Sequence, residues 1–227
     1  RTVNLSVQDL VNSALGVEAM LWGGQARAEI GTDVHATYFA SQTGEGFQKE
    51  VFGRWEGDWH DYHVHVEGRA DACRTTATGV IVEEIKSTLR HGTLMADLRL
   101  NRAHAEQCGF YCLLLARAGV RVAGGLVKYI AVSDGATREF DIEFQLPDYE
   151  ALFDERLATL IADRREEERL ARIRAEYAGR MTFPFPEIRG GQQTMIDDVE
   201  GAARDGRIIL CSAPTGIGKT AAALFPV

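Results

Sequence analysis

Residues 213–220 read Ala-Pro-Thr-Gly-Ile-Gly-Lys-Thr, and Val227 follows seven residues later. Glycines at these spacings let backbone N–H groups turn toward phosphate oxygens, and a helix opening behind them adds its positive end. The apolar run Ile208-Ile209-Leu210-Cys211 just upstream reads as a buried strand, the context that such a loop requires. Gly216 and Gly218 shape the turn, Lys219 is placed for the terminal phosphates of ATP, and Thr220 for the accompanying Mg²⁺. A nucleotide-driven motor has barely begun at this point. Residues 1–180 are therefore expected to form a separate module ahead of it. With Arg1 in first place and no initiator Met, the chain is expected to be a piece of a longer protein.

The length of 227 residues suits one ordinary domain plus part of another. A hydrophobic fraction of 45% and a charged fraction of 26% are those of a water-soluble globular protein that can bury a core without staples. The net charge of −8 gives no basic signature of a nucleic-acid partner, but much of the acid is concentrated in residues 148–176. The most apolar stretch, Leu113 to Val132, is broken by Arg117, Arg121 and Lys128, so no membrane span is expected. A cytoplasmic location is the expectation. The four cysteines, Cys73, Cys108, Cys112 and Cys211, show no C-x-x-C pair. Cys108 and Cys112 lie one helical turn apart, where core packing is preferred over metal ligation.

A helix is expected to open after Leu5 with Ser6 as its cap, and a second over Gln25–Phe39. Strands are read at Lys49–Trp55, Tyr62–Val66 running into Arg69–Cys73, and Gly79–Lys86. A helix follows over Arg102–Ala118, then a hairpin around Ser133-Asp134-Gly135-Ala136 and a long helix over Asp148–Ala178. The charge run at Arg164–Arg174 reads as a solvated face. Phe183-Pro184-Phe185-Pro186 marks a boundary, because two prolines two apart cannot continue a helix. The expected divisions are 1–147, a connecting helix over 148–182, and 183–227, in which a helix at Gln192–Arg204 precedes the strand and loop.

Chemistry concentrates at Asp71 and, thirteen residues on, Glu84-Ile85-Lys86. Strand alternation puts Glu84 and Lys86 on one face and turns Ile85, with Glu83, to the other. A hairpin between the two runs brings Asp71 beside Glu84. Two carboxylates meeting at one point call for a cation, and oxygen donors suit Mg²⁺ or Mn²⁺. A lysine at the rim can orient an attacking water or help remove its proton. Alone, the spacing is weak, since a Glu–Lys pair on an exposed strand reads the same way. Gln107 and Tyr111, four apart, share a helix face. Glu50 is a further acidic candidate, and His104 either meets phosphate or caps its helix face.

Taken in order, G-x-x-x-H ending at His35, G-R-x-D ending at Asp71, E-I-K ending at Lys86, and the H-x-x-Q-x-x-x-Y of His104, Gln107 and Tyr111 resemble the RecB-like branch of the PD-(D/E)XK nucleases. The resemblance covers about Leu5 to Leu146. It implies an α/β, restriction-endonuclease-like core, a mixed central sheet flanked by helices, and metal-dependent hydrolysis of DNA. His35, Asp71 and Glu84 become the implied metal ligands, with the carbonyl of Ile85 as a fourth. Lys86 becomes the catalytic lysine, and Gln107 and Tyr111 support the site or position DNA. The cysteine pattern that holds an Fe–S cluster in some relatives is missing, so no cluster is expected.

Phe185 to Met195 resembles the adenine-recognising stretch of XPD/DinG-like superfamily 2 DNA helicases, with Gln192 as the adenine reader. That group accepts Ala213 at the first loop position. The later acidic box and arginine finger are absent from residues 183–227, so ATP hydrolysis is expected only of a longer parent. The combined expectation is the nuclease module of a nuclease–helicase fusion, an exonuclease acting on single-stranded DNA in processing or repair. Two alternatives are a non-catalytic DNA-gripping module serving the motor and a stand-alone nuclease of the CRISPR-adaptation kind.

Overall fold

The computed structural model describes residues 1–14, 34, 36–42, 46–178, 180 and 182–225. The chain divides into two compact units, Arg1–Arg165 and Glu166–Val227. The first unit is a mixed six-stranded sheet with helices on it. Its elements are β1 (Thr2–Ser6), α1 (Val7–Asn12), β2 (Phe47–Trp59), β3 (Tyr62–Thr75), β4 (Val80–Thr88), α2 (Arg102–Arg117), β5 (Val122–Ala131) and β6 (Thr137–Ile142). The long helix α3 (Leu146–Ala178) begins in this unit. Residues 36–41 are also helical, which covers the end of the helix expected over Gln25–Phe39.

Ser6 caps α1 as its sequence predicts, in a reciprocal pair with Asp9: the Ser6 hydroxyl accepts from the Asp9 N–H and the Asp9 carboxylate accepts from the Ser6 N–H. Leu5 itself belongs to β1. The two strand runs expected on either side of Glu67 are a single strand, β3, because β2 pairs with it along almost its whole length, from Trp59↔Tyr62 to Phe47↔Arg74. The other edge of β3 is shared. Parallel β1 occupies it as far as Ser6↔Glu67, and antiparallel β4 takes it from Ala72↔Glu83 onward. Between them, residues 68–71 have no ladder partner on that edge among the described residues. Past Glu83, β4 leaves β3 and runs parallel to β5 alone, through Glu84↔Val127 and Lys86↔Tyr129.

One sheet face carries the main core. Helix α2 contributes Cys108, Phe110, Tyr111, Cys112, Leu113 and Leu114, α1 contributes Val7, Leu10 and Val11, and α3 contributes Phe153, Leu157 and Ile161. Burying a large apolar side chain of this kind is worth about 1.5–3 kcal/mol. Cys108 and Cys112 pack against Gly125, where a Cβ would lie 2.6 Å from the Cys108 sulfur. On the opposite face, Ile85 and Ile130 pack with Tyr38 of the 36–41 helix. Glu83 is buried there and accepts hydrogen bonds from the Tyr38 hydroxyl at 2.7 Å and the Arg74 guanidinium at 2.9 Å.

The pleat reverses phase once. In β3, Val64, Val66 and Ala70 face α2, and so does Cys73, an odd position after even ones. In β2, Val51 and Trp55 pack toward α2 while Phe47 lies on the Tyr38 side. Both changes fall where the ladder skips a pair, between Lys49↔Ala72 and Val51↔Ala70, at the step that holds Glu50 and Asp71. Glu50 has φ +55°, a left-handed conformation that side-chain-bearing residues seldom adopt.

The second unit contains α4 (Gln192–Arg204) and α5 (Lys219–Leu224). The buried strand expected at Ile208–Cys211 does not form: these residues lie outside any strand, and Ile208 and Leu210 are fully exposed. A strand needs a neighbour to take its N–H and C=O groups, and the described residues of this unit supply no other strand.

Candidate active site

The reading of Asp71 and Glu84 as neighbours rests on the strand exchange along β3. Asp71 sits in the rung where β1 has ended and β4 is departing. Its carboxylate Oδ2 accepts the Ile85 N–H at 2.7 Å, a side-chain substitute for a ladder bond. The motif glycine has a steric reason too. A Cβ on Gly68 would come within 2.6 Å of both the Tyr111 ring and the Val7 side chain, so its absence lets α1 and α2 close over the gap.

Beyond Asp71, alternation places Glu84 and Lys86 on the α2 side and Ile85 on the other, as the sequence predicts. Glu84 is 3% exposed, and its Oε1 pairs with the Lys86 ammonium at 2.7 Å. Its Oε2 is buried with no hydrogen-bond partner among the described residues. Burial pushes the Glu84 carboxyl up to about 7; the nearby Asp71 charge adds to this, and Lys86 opposes both. The Lys86 ammonium also donates to Gln107 Oε1 at 3.0 Å, and Gln107 Nε2 donates to the Tyr111 hydroxyl at 3.0 Å. The Tyr111 phenol is driven well above its ordinary range by burial, then by the Glu84 charge. Glu84, Lys86, Gln107 and Tyr111 thus form one continuous polar chain beside Asp71.

His35 lies outside the described residues, as do Gly31, Thr32 and Asp33, so the G-x-x-x-H element is not placed. The Ile85 side chain points into the Tyr38 cluster, leaving only its main chain toward Asp71. Glu50 pairs with Arg69 at 3.3 Å. His104 is bonded through Nδ1 to the Tyr129 hydroxyl at 2.8 Å, and that oxygen accepts the Asn101 N–H. Burial and the Lys86 charge push His104 down to about 4, so the ring is neutral near pH 7. Tyr129 escapes a sequence reading because only the parallel β4–β5 register sets it level with Lys86.

A buried carboxylate oxygen with no donor among the described residues, next to a second carboxylate, suits a hard divalent cation. Asp71 and Glu84 could therefore hold a divalent cation that prefers oxygen donors, of the Mg²⁺ or Mn²⁺ kind.

In the second unit the loop glycines adopt left-handed backbone, Gly216 at φ +82° and Gly218 at φ +80°. The Lys219 ammonium donates to the carbonyls of Ala213 at 3.0 Å and Pro214 at 2.8 Å. Thr220 follows in the first turn of α5. Gln192 is buried; its Oε1 accepts the Arg189 N–H at 2.7 Å and its Nε2 reaches the Gly218 carbonyl at 3.4 Å. Gln192 is thereby tied to the loop.

No protein-family model matches the chain, and no curated protein matches it by sequence. Its fold is similar to that in the crystal structure of SSO0001, with a TM-score of 0.50 at 20% identity, over 70% of this chain and 76% of that one. It is also similar to an alkaline exonuclease (LHK-Exo) from Laribacter hongkongensis, with a TM-score of 0.51 at 12% identity, over 75% of this chain and 93% of that one. Both likenesses are of fold: a mixed central sheet flanked by helices.

Proposed function

We propose that the first unit is a metal-dependent nuclease that hydrolyses phosphodiester bonds of DNA. The observation that carries this reading is the buried Glu84 Oε2, without a hydrogen-bond partner among the described residues, close enough to Asp71 to feel its charge and with the Lys86 ammonium on its other oxygen. The fold shared with an alkaline exonuclease supports it. Asp71 and Glu84 hold the divalent ion, with His35 and the Ile85 carbonyl as further ligands. When bound, Mg²⁺ or Mn²⁺ lowers the pKa of water and stabilises negative charge on the phosphate. Lys86, held between Glu84 and Gln107, orients the attacking water and takes part in its deprotonation. Gln107 and Tyr111 fix the lysine and position the DNA backbone. Single-stranded DNA attacked from an end is the substrate we favour.

The loop at 213–220 is read as the ATP-binding start of a helicase motor of the XPD/DinG kind, with Gln192 reading adenine. Its tie to Gly218 supports that reading by coupling base recognition to the phosphate loop. The whole is then the nuclease part of a nuclease–helicase fusion in a longer parent.

The purified protein should degrade a labelled single strand in Mn²⁺ and not in EDTA. Asp71→Ala or Lys86→Ala should each lower the rate by about 10²–10⁴. DNA cleavage that persists in both variants, or DNA binding with no cleavage under any divalent ion, overturns the proposal.

A further inference from the structure

The β2–β3 hairpin carries a second group of metal-binding side chains that the proposed reaction does not use. His63 and His65 are two apart on β3, so both project from the same sheet face. Their neighbours Tyr62, Val64 and Val66 fill the core on the other face. Directly across the antiparallel pair lie Asp58 opposite His63 and Glu56 opposite His65. The outward face therefore presents two imidazoles and two carboxylates in a compact square. One donor atom from each of Glu56, His63 and His65 lies within 4.8 Å of the others. The two rings stand edge to face, 4.7 Å between centres. His63 Nδ1 is 2.8 Å from Asp58 Oδ1, and His65 Nδ1 is 3.4 Å from Glu56 Oε2.

We infer that this square is a binding site for a borderline divalent ion of the zinc class, held by His63, His65 and Glu56, with Asp58 orienting the His63 ring. The donor set decides the class of ion: two imidazoles favour Zn²⁺, Co²⁺ or Ni²⁺ over the oxygen-seeking Mg²⁺. A carboxylate on the far nitrogen of a ligating histidine is the usual support for such a ligand. In a tetrahedral site with bonds of about 2.0–2.1 Å, ligand atoms stand about 3.3–3.4 Å apart; His65 Nδ1 and Glu56 Oε2 already stand at 3.4 Å, and the three donor atoms lie within 4.8 Å of one another. Small rotations of half-exposed side chains supply the remaining contraction, and water completes the coordination. All four groups come from two adjacent strands already in register, so little chain entropy opposes binding.

The site is independent of the nuclease centre. His65 and Asp71 are six positions apart on β3, on the order of 20 Å at 3.3 Å per residue. Its ion bridges β2 to β3 near their connecting turn, and acts as a staple of the hairpin.

The test uses untagged, EDTA-stripped protein with saturating Mg²⁺, titrated with Co²⁺ and followed by its visible d–d bands and by calorimetry. Wild type and the Asp71→Ala/Glu84→Ala double variant should both take up the hairpin equivalent. His63→Ala/His65→Ala should lose one equivalent, and Asp58→Asn should weaken it about 10–100-fold. Zn²⁺ should raise the melting temperature of wild type and leave the double-histidine variant unmoved. His63→Gln, which keeps a polar side chain of similar bulk, guards against a folding defect and should also lose the equivalent. Equal Co²⁺ uptake in wild type and the histidine variants overturns the inference, and so does loss of the equivalent in Asp71→Ala/Glu84→Ala.

Discussion

At the residue scale, Glu84 holds the tension of the site. A carboxylate that is 3% exposed, with one oxygen on Lys86 and the other without a hydrogen-bond partner among the described residues, is costly to ionise without a cation. Its folded pKa of about 7 lies above the ordinary 4.5, so in the metal-free protein its contribution to stability is full below pH 4.5 and is lost as pH rises through 7. A rise of that size corresponds to roughly 3 kcal/mol. Glu84→Gln keeps the shape and removes the titration. In EDTA, urea melts at pH 5 and pH 8 should show wild type losing stability relative to Glu84→Gln by about 1–3 kcal/mol. Saturating Mg²⁺ should abolish that loss in wild type alone, because the ion supplies the missing partner. A pH-independent difference would mean that Glu84 stays ionised throughout.

At the element scale, helices pack close only where glycine allows it. Gly109 faces α3, and a Cβ there would overlap the Tyr149 ring. Alanine favours a helix over glycine by about 1 kcal/mol, while displacing a packed ring costs about 1–3 kcal/mol. The overlap is with Cε1, Cζ and the hydroxyl of Tyr149, so relief requires this ring, which packs against Phe110 and Phe144, to swing away. Gly109→Ala should therefore lower stability and the melting temperature by several degrees. In the Gly109→Ala background, Tyr149→Ala should cost less than it does in wild type. Additive effects would show that the helices part without strain.

The same scale explains what was legible in the sequence. Glu84 and Lys86 on one face and Ile85 on the other followed from a period of two. The charged tail of α3, the hairpin at 133–136 and the Ser6 cap followed from local chemistry. Tyr129 and the His104 bond to it were not legible, because a parallel register between β4 and β5 leaves no local trace. The Ile208–Cys211 run reads as a strand by composition, yet pairing decides strands, and composition carries no information about an absent neighbour.

At the scale of the whole molecule, the polypeptide is two units joined along one helix, and their stabilities need not be equal. Residues 182–190 contain no helix or strand; Arg180 precedes them and Arg189 lies among them. Limited trypsin digestion should cut there first. The larger product, retaining the β1–β6 sheet, should keep any Mn²⁺-dependent DNA cleavage, while the second unit should be lost at lower urea than the first. Coincident loss of both would mark them as one cooperative body. No described helix is long and apolar enough to cross a membrane.

The phase reversal at Glu50 and Asp71 has a consequence for variation in the β2–β3 ribbon. Both strands exchange inside for outside at that one step and keep a single register across it, so an amino acid inserted or deleted in one strand alone leaves the other a residue out of step. Only matched changes on the two strands would restore an unbroken zigzag. A single-residue length change here should therefore cost more stability than the same change in the turn at 60–61, as urea melts of the two variants would show.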